Sequence, residues 1–172
     1  IERLVAYQIG AAAALSALAG HPIAYVKLHG ALANLAVADA DVAAASVRAI
    51  KGVDASLACL AIAHGNQERC ARDAGLRTYS EVYADRGYQD DGSLMPRNRP
   101  GAFVHDPTEA VERACRMVTS GEIVSVDGKA LPTSVDSICV HGDSPTALAT
   151  ARLLAERFAA EGIALAPFTG RP

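Results

Sequence analysis

The chain has 172 residues, 51% of them hydrophobic, and a formal net charge of −3 at pH 7. This balance predicts a single globular domain over residues 1–172 that buries a core. Because basic residues are scattered rather than clustered, the composition argues against a nucleic-acid partner. No apolar run reaches the length of a membrane-spanning helix, so we expect no membrane partner.

The first half of the chain alternates between predicted helices and strands. Gly20 and Pro22 end the first helix, and the apolar run Leu57–Ala63 is typical of a parallel strand covered on both faces. In order, the sequence predicts a helix over 1–19, a strand at Ile23–Leu28, a helix over Ala31–Ile50 that Asp39–Asp41 can break, the strand Leu57–Ala63, a short helix from Asn66 to Gly75 and a strand at Thr78–Ala84.

The second half opens with a long polar loop from Asp85 to about Phe103. The clearest helix start is Asp106-Pro107-Thr108-Glu109, which combines a capping aspartate with proline at the first helical position. After it the sequence predicts a helix that ends before Gly121, a hairpin of Glu122–Val126 and Lys129–Leu131 around Asp127-Gly128, a strand at Ser137–Val140, a helix from Ser144-Pro145 to about Ala160 and a last strand at Ile163–Ala166.

Repeated strand–helix units predict an α/β protein with a parallel sheet and right-handed crossovers, either open or closed. We favour a parallel (β/α) barrel. About five main strands are fewer than a closed barrel uses. The chain also opens at Ile1 without Met or a cap, inside an apolar helical stripe. We therefore expect an incomplete barrel, a C-terminal fragment whose N-terminal part is missing.

The cysteines show no CxxC spacing and fall in predicted helices and strands. They are Cys59, Cys70, Cys115 and Cys139. We interpret them as thiols of a reducing compartment rather than as disulfides or a zinc site. Because the sequence shows no secretory leader, we expect a cytoplasmic location.

Three apolar strands end in the same dipeptide, at His29-Gly30, His64-Gly65 and His141-Gly142. Ligands of parallel sheets bind at the carboxyl ends of the strands, so these imidazoles are expected to converge on one pocket. Glycine after each histidine leaves room for a substrate. The pattern indicates an enzyme, although a single strand-end histidine is more often a structural residue.

Side-chain alternation selects further candidates along the strands. It places Lys27 and His29 on one face, where an ammonium and an imidazole share a site. The same period aligns Tyr79, Glu81, Tyr83 and Asp85, which predicts a strand that lines a polar interior because unpaired buried carboxylates are costly.

Asp143 follows His141 by two positions. An aspartate near an imidazole can fix its tautomer, and either residue can ligate a divalent metal. The alternative is that Asp143 caps the helix beginning at Ser144.

The segment after the third strand holds a second polar cluster. Arg86 can grip a substrate carboxylate, and Tyr88 can close over the ligand. The alternative is a polar surface loop held by Arg–Asp pairs. Arg97 and Arg99 can bind an anion or a partner protein, with solvated charges as the simpler interpretation.

Four segments resemble the LamB/YcsF family, in order and across essentially the whole chain. They are Val26-Lys27-Leu28-His29-Gly30-Ala31-Leu32, Glu81-Val82-Tyr83-Ala84-Asp85-Arg86-Gly87-Tyr88, Asp91-Gly92-Ser93-Leu94-Met95-Pro96-Arg97 and Val140-His141-Gly142-Asp143. The resemblance implies a barrel related to the sugar-deacetylase type. It also implies an ATP-dependent 5-oxoprolinase that opens 5-oxoproline to L-glutamate together with partner subunits B and C.

The resemblance also suggests roles for the candidate residues. His29 or His141 is expected to act as the base and Lys27 to stabilise developing negative charge. Asp85 and Arg86 are expected to hold the amine and carboxylate of the substrate. ATP is expected as a cosubstrate of the assembled enzyme. Because the chain lacks a GxxxxGK[ST] loop, we expect the partners to help handle it.

The chain departs from the family pattern at several points. Leu28 stands where the family has proline, and His64 stands where it has a small residue or serine, which weakens a catalytic role for His64. The family's Asp-Leu-Asn and Cys-Gly-x-His-x-Gly-Asp motifs do not occur, in line with a fragment.

Two other functions fit the same residues. One is a stand-alone amidase or deacetylase in which His and Asp bind Zn²⁺ or Mn²⁺. The other is a non-catalytic scaffold subunit that binds partners. Exposed strand edges and apolar helix faces of an incomplete barrel would also favour a homo-oligomer.

Overall fold

The computed structural model describes residues 1–142 and 146–168 of the chain. The elements in these residues are α1 (Glu2–Leu18), β1 (Tyr25–Lys27), α2 (Gly30–Ala38), α3 (Ala40–Val53), β2 (Ala58–Ile62), α4 (Asn66–Asp73), β3 (Thr78–Tyr83), α5 (Pro107–Ser120), β4 (Glu122–Val124), β5 (Ala130–Pro132), β6 (Ser137–Cys139) and α6 (Ala147–Ala160). The alternation of helices and parallel strands confirms the predicted α/β class.

The described residues form two compact units. The first comprises residues 1–80 with Phe168, and the second residues 81–167. In the first unit β1 and β2 are parallel, with Tyr25 opposite Ala58 and Lys27 opposite Leu60. All five residues of β2 are buried, as its apolar sequence predicts. Helix α3 packs against α1, α2 and α4, which places its apolar face in the core of this unit.

The predicted break in the long second helix is confirmed at Asp39. The Asp39 backbone N–H closes α2 on Leu35, and its carboxylate then accepts hydrogen bonds from the backbone N–H groups of Asp41 at 2.9 Å and Val42 at 3.1 Å. One residue thus ends α2 and caps α3, because its extended backbone leaves the carboxylate facing the free N–H groups of the next helix.

In the second unit the end of β3 pairs with β6 in parallel, with Glu81 opposite Ser137 and Tyr83 opposite Cys139. Helices α5 and α6 pack against each other through apolar residues. The predicted cap of α5 is confirmed, since the Asp106 carboxylate accepts a hydrogen bond from the Thr108 N–H at 2.8 Å. Strands β4 and β5 form the predicted antiparallel hairpin, shorter than the sequence pattern indicates.

The last strand predicted at Ile163–Ala166 is wrong. The structure assigns no strand to these residues. After Gly162, whose φ is +72°, the Ile163 N–H bonds to the carbonyl of Phe158 at 2.8 Å and closes the end of α6. Residues 164–167 are exposed, and Leu165 is 70% exposed. The apolar pattern of this segment is therefore not sufficient for it to pair as a strand.

Within residues 1–142 and 146–168, no individual helix has the length and apolar character needed to cross a membrane. Helices α2 and α3 have the required length and apolar character only when they are taken together, and the chain bends by 118° at their junction.

The Asp39 cap gives a stability prediction. Replacement of Asp39 with Ala should lower the free energy of unfolding by about 1 kcal/mol, because two N–H groups at the start of α3 lose their acceptor. Urea unfolding followed by circular dichroism measures this change. Asp39→Ser, which keeps a capping oxygen, should lose less than half as much. An Asp39→Ala protein as stable as the wild type would show that the cap contributes nothing.

Candidate active site

The candidate site begins with the polar face of β3 in the second unit. Alternation along this strand places Glu81, Tyr83 and Asp85 on one side, as the sequence predicts. Glu81 is 3% exposed and lies in hydrogen-bond contact with the Tyr83 hydroxyl. Burial, followed by the charge of Glu81, raises the pKa of Tyr83, so this phenol stays protonated and neutral.

A histidine–aspartate pair lies at the ends of β3 and β6. Because Tyr83 is opposite Cys139, the residues two positions further along each chain, Asp85 and His141, come to face each other. The Nδ1 atom of His141 lies 2.8 Å from Oδ2 of Asp85 and 3.0 Å from Oδ1. The imidazole also stacks on the Tyr83 ring, with the ring centroids 5.4 Å apart. Both side chains of the pair are about four-fifths buried, at 24% and 21% exposed.

This geometry defines the role of each nitrogen of His141. A carboxylate only accepts hydrogen bonds, so the neutral imidazole must carry its proton on Nδ1. The Nε2 atom then keeps its lone pair and can accept a proton, and Asp85 stabilises the imidazolium that forms. The pair can therefore act as a general base and then as a general acid.

The pair opens onto a cavity of about 410 Å³ in the second unit. A cavity of this size accommodates a small molecule. Its wall is apolar where α5 begins and polar around the pair. Besides Asp85 and His141, the described residues that line it are Arg97, Phe103, Val104, His105, Pro107, Ala110, Val140, Thr146, Ala147 and Thr150.

Arg86 holds the loop between β3 and α5 in place. Its side chain is buried, its Nε donates to the carbonyl of Ala102 at 2.9 Å, and its Nη2 donates to the carbonyl of Met95 at 2.6 Å. The guanidinium lies over the Phe103 ring, 4.8 Å from its centroid. Burial, and then the nearby charge of Arg97, lowers the pKa of Arg86. These contacts support a structural role, and the grip of Arg86 on a substrate carboxylate stays a prediction.

Tyr88 anchors the same loop to β3. Its side chain is fully buried, and its hydroxyl oxygen accepts a hydrogen bond from the backbone N–H of Tyr83 at 2.7 Å. The predicted closure of Tyr88 over a ligand stays a prediction.

The remaining predicted residues lie elsewhere or outside the description. Asp143 lies outside the described residues. Lys27 ends β1 and is half-buried, and the exposed His29 is the N-cap residue of α2, both in the first unit. Their convergence with Asp85 and His141 stays a prediction. His64, also in the first unit, has a φ of +63°, and its backbone N–H donates to the Glu68 carboxylate at 2.8 Å.

The sequence interpretation missed part of the cavity wall. His105 carried no assigned role, and Phe103 was only the end of a loop, yet both line the cavity, with their rings 6.0 Å apart. The sequence assigned to Arg97 only the binding of an anion or a partner protein. The position of these residues could have indicated their role. The loop between β3 and α5 follows a strand end, and ligands of parallel sheets bind at strand ends.

The structure also bears on metal and thiol chemistry. Among the described residues, no group of three or more His, Cys, Asp or Glu side chains has an arrangement that could hold a metal ion. The cysteines are free thiols, as predicted, with Cys59 and Cys115 buried and Cys70 and Cys139 half-buried. Burial, and then the charge of Glu68, raises the pKa of Cys59 to about 12, so this thiol is not a nucleophile at neutral pH.

These features define an α/β protein with parallel strands whose ends hold a histidine–aspartate pair beside a small-molecule cavity. The pattern of the LamB/YcsF family matches residues 1–171, and the chain belongs to this family.

The chain is similar to proteins named as the A subunit of 5-oxoprolinase. It is 55% identical over 168 residues to the one from Azorhizobium caulinodans and 50% identical over 169 residues to the one from Gluconobacter oxydans. Each match covers 98% of this chain and 66% of the relative, so the chain spans just under two thirds of their length. The crystal structure of a lactam utilization protein from Thermus thermophilus is also similar, with a TM-score of 0.87 and 37% identity over 95% of this chain and 65% of that one.

The close approach of two segments of the loop between β3 and α5 gives a stability prediction. A Cβ atom on Gly87 would lie 2.0 Å from the carbonyl oxygen of Gly101. Replacement of Gly87 with Ala should therefore force the loop apart and lower the free energy of unfolding by about 2–3 kcal/mol. Thermal and urea unfolding of the purified variant measure this.

Gly52 provides the matched control, because it is exposed in α3 and nothing lies within 4 Å of its added Cβ. Gly52→Ala should leave stability unchanged or raise it by about 0.5 kcal/mol. Equal effects of the two substitutions would contradict the predicted contact between Gly87 and Gly101.

Proposed function

We propose that this chain is part of an ATP-dependent 5-oxoprolinase, a hydrolase that opens the cyclic amide of 5-oxoproline to give L-glutamate, and that it acts as one subunit of that enzyme. Membership of the LamB/YcsF family and the names of the similar proteins support this function. The observation that carries it is the 2.8 Å contact of Asp85 with His141 beside a cavity of about 410 Å³.

The proposed chemistry uses His141 as the proton carrier. The Nε2 atom takes a proton from a water molecule as the water oxygen bonds to the lactam carbonyl carbon, and Asp85 stabilises the resulting imidazolium. The bond between that carbon and the ring nitrogen then breaks. The imidazolium returns its proton to this nitrogen, which becomes the amine of glutamate. The carbonyl oxygen stays on the carbon that becomes the new carboxylate.

ATP enters the proposal as a cosubstrate that activates the lactam oxygen by phosphorylation. This phosphoryl transfer releases ADP. Attack of one water on the activated carbon opens the ring to an acyl phosphate of glutamate. A second water then attacks the phosphorus of this acyl phosphate, which releases phosphate and glutamate and leaves the former lactam oxygen on the new carboxylate. The partners in this proposal are 5-oxoprolinase subunits B and C, since the names of the similar proteins designate one lettered component of a larger enzyme. The sequence carries no GxxxxGK[ST] loop, which is why we assign part of the ATP binding to the partners.

The other predicted site residues belong to the proposal as candidates. Lys27 is assigned to stabilising negative charge, and His29 is the second candidate base. Glu81 and Asp143 are assigned to orienting the substrate. The proposal also includes a cytoplasmic enzyme and a single (β/α) barrel domain to which the parallel strands contribute. The match to the Thermus thermophilus structure, with a TM-score of 0.87, supports the barrel.

The test is a reconstituted assay of glutamate formation. The full-length protein with its B and C subunits, 5-oxoproline and ATP should lose about 10²–10⁴-fold in kcat when His141 becomes Asn or Asp85 becomes Asn, because the base is removed or loses its orienting partner. His21→Asn is the control, since this histidine is exposed and outside the cavity.

Circular dichroism and assembly with the partners establish that each variant is folded. Wild-type turnover in both His141→Asn and Asp85→Asn would overturn the catalytic role and favour a scaffold subunit. Turnover by the chain alone without ATP would overturn the ATP-dependent reaction.

A further inference from the structure

Arg97 is the cation of the cavity beside the Asp85–His141 pair. Of the described residues that line this cavity, Arg97 is the one with a lysine or arginine side chain. The guanidinium is permanently charged and offers planar, paired N–H donors that match a carboxylate. At the pair itself the acidic side chain is Asp85. The described wall therefore carries one arginine and one aspartate.

Two arginines contact the same phenylalanine ring, and within residues 1–142 and 146–168 Arg86 is the one of the two that donates to backbone carbonyls. The guanidinium carbon of Arg86 lies 4.8 Å from the Phe103 centroid and that of Arg97 lies 5.5 Å from it. Arg86 is buried and donates to the carbonyls of Met95 and Ala102. Arg97 is exposed at the cavity wall, and the aromatic ring restricts its position.

We propose that Arg97, rather than Arg86, binds the carboxylate of the substrate and selects a carboxylate-bearing cyclic amide over a neutral one. This inference rests on the proposed function and assigns the orientation of its substrate. Asp85 repels a carboxylate, whereas Arg97 attracts it. The substrate therefore binds with its carboxylate at Arg97, which leaves its amide carbonyl directed toward His141.

The test is an equilibrium titration of the full chain with three small probes. Binding is monitored through the imidazole NMR signals of His141 and His105. 5-Oxoproline carries both the carboxylate and the lactam, 2-pyrrolidinone carries only the lactam, and cyclopentanecarboxylate carries only the carboxylate. Arg97→Met should weaken the binding of 5-oxoproline and of cyclopentanecarboxylate by about tenfold to a hundredfold. It should leave the affinity for 2-pyrrolidinone unchanged. Arg97→Lys should restore part of the affinity, since it keeps the charge without the planar fork.

Arg99→Met is the matched control. Arg99 lies two residues away in the same proline-flanked segment, is also exposed, and lines a different cavity. Its replacement should change none of the three affinities.

The outcomes separate this inference from the proposed function. Wild-type affinity of Arg97→Met for 5-oxoproline, or an equal loss for 2-pyrrolidinone, would overturn the role of Arg97 as the carboxylate ligand. Arg97→Met can weaken the binding of both carboxylate probes while the wild-type chain binds 5-oxoproline no better than cyclopentanecarboxylate. In that case Arg97 keeps its role and the cyclic-amide function is overturned. If no probe binds the wild-type chain, both are overturned.

Discussion

The contact between the Asp85 carboxylate and Nδ1 of His141 is the interaction on which the candidate site depends. It exists because β3 and β6 pair in parallel with Tyr83 opposite Cys139, so that the residues following both strands meet at one edge. A shift of this pairing by one residue would reverse the alternation and separate the pair. The register of two short strands thus determines whether His141 has an oriented Nε2 atom.

Hydrogen bonds of buried polar side chains hold the long loop that follows β3, and this loop carries part of the wall beside the pair. Tyr88 bonds to the backbone of β3, and Arg86 bonds to two carbonyls further along the loop. Each of these buried groups would cost free energy if it were left unpaired, so the loop conformation is strongly specified. The two arginines of this loop therefore have different roles. Arg86 is used to build the wall, while Arg97 remains at the cavity surface.

Local sequence rules predicted much of this architecture. The apolar run of β2, the helix break at Asp39 and the cap at Asp106 are confirmed, because each depends on neighbours within a few residues. Strand-end position also singled out Asp85 and His141. Their mutual contact spans 56 residues, and no local pattern specifies the register that makes it.

What the sequence could not supply were the long-range partners of individual side chains. Arg86 looks like a ligand-binding residue in its motif, and only the fold shows that its donors meet carbonyls 9 and 16 residues away. His105 and Phe103 have no motif and acquire a place in the cavity through the path of the loop. The apolar stretch at Ile163–Ala166 has strand propensity, but in the described structure it is exposed chain after α6.

The tautomer of His141 tests the Asp85–His141 contact directly, and ¹⁵N–¹H correlation spectra of the imidazole in protein labelled at histidine show it. At a pH where the ring is neutral, the contact with Asp85 predicts a proton on Nδ1 and a lone pair on Nε2, with this preference lost in Asp85→Ala. A neutral His141 protonated on Nε2 in the wild-type chain, or a tautomer that does not respond to Asp85→Ala, would contradict it.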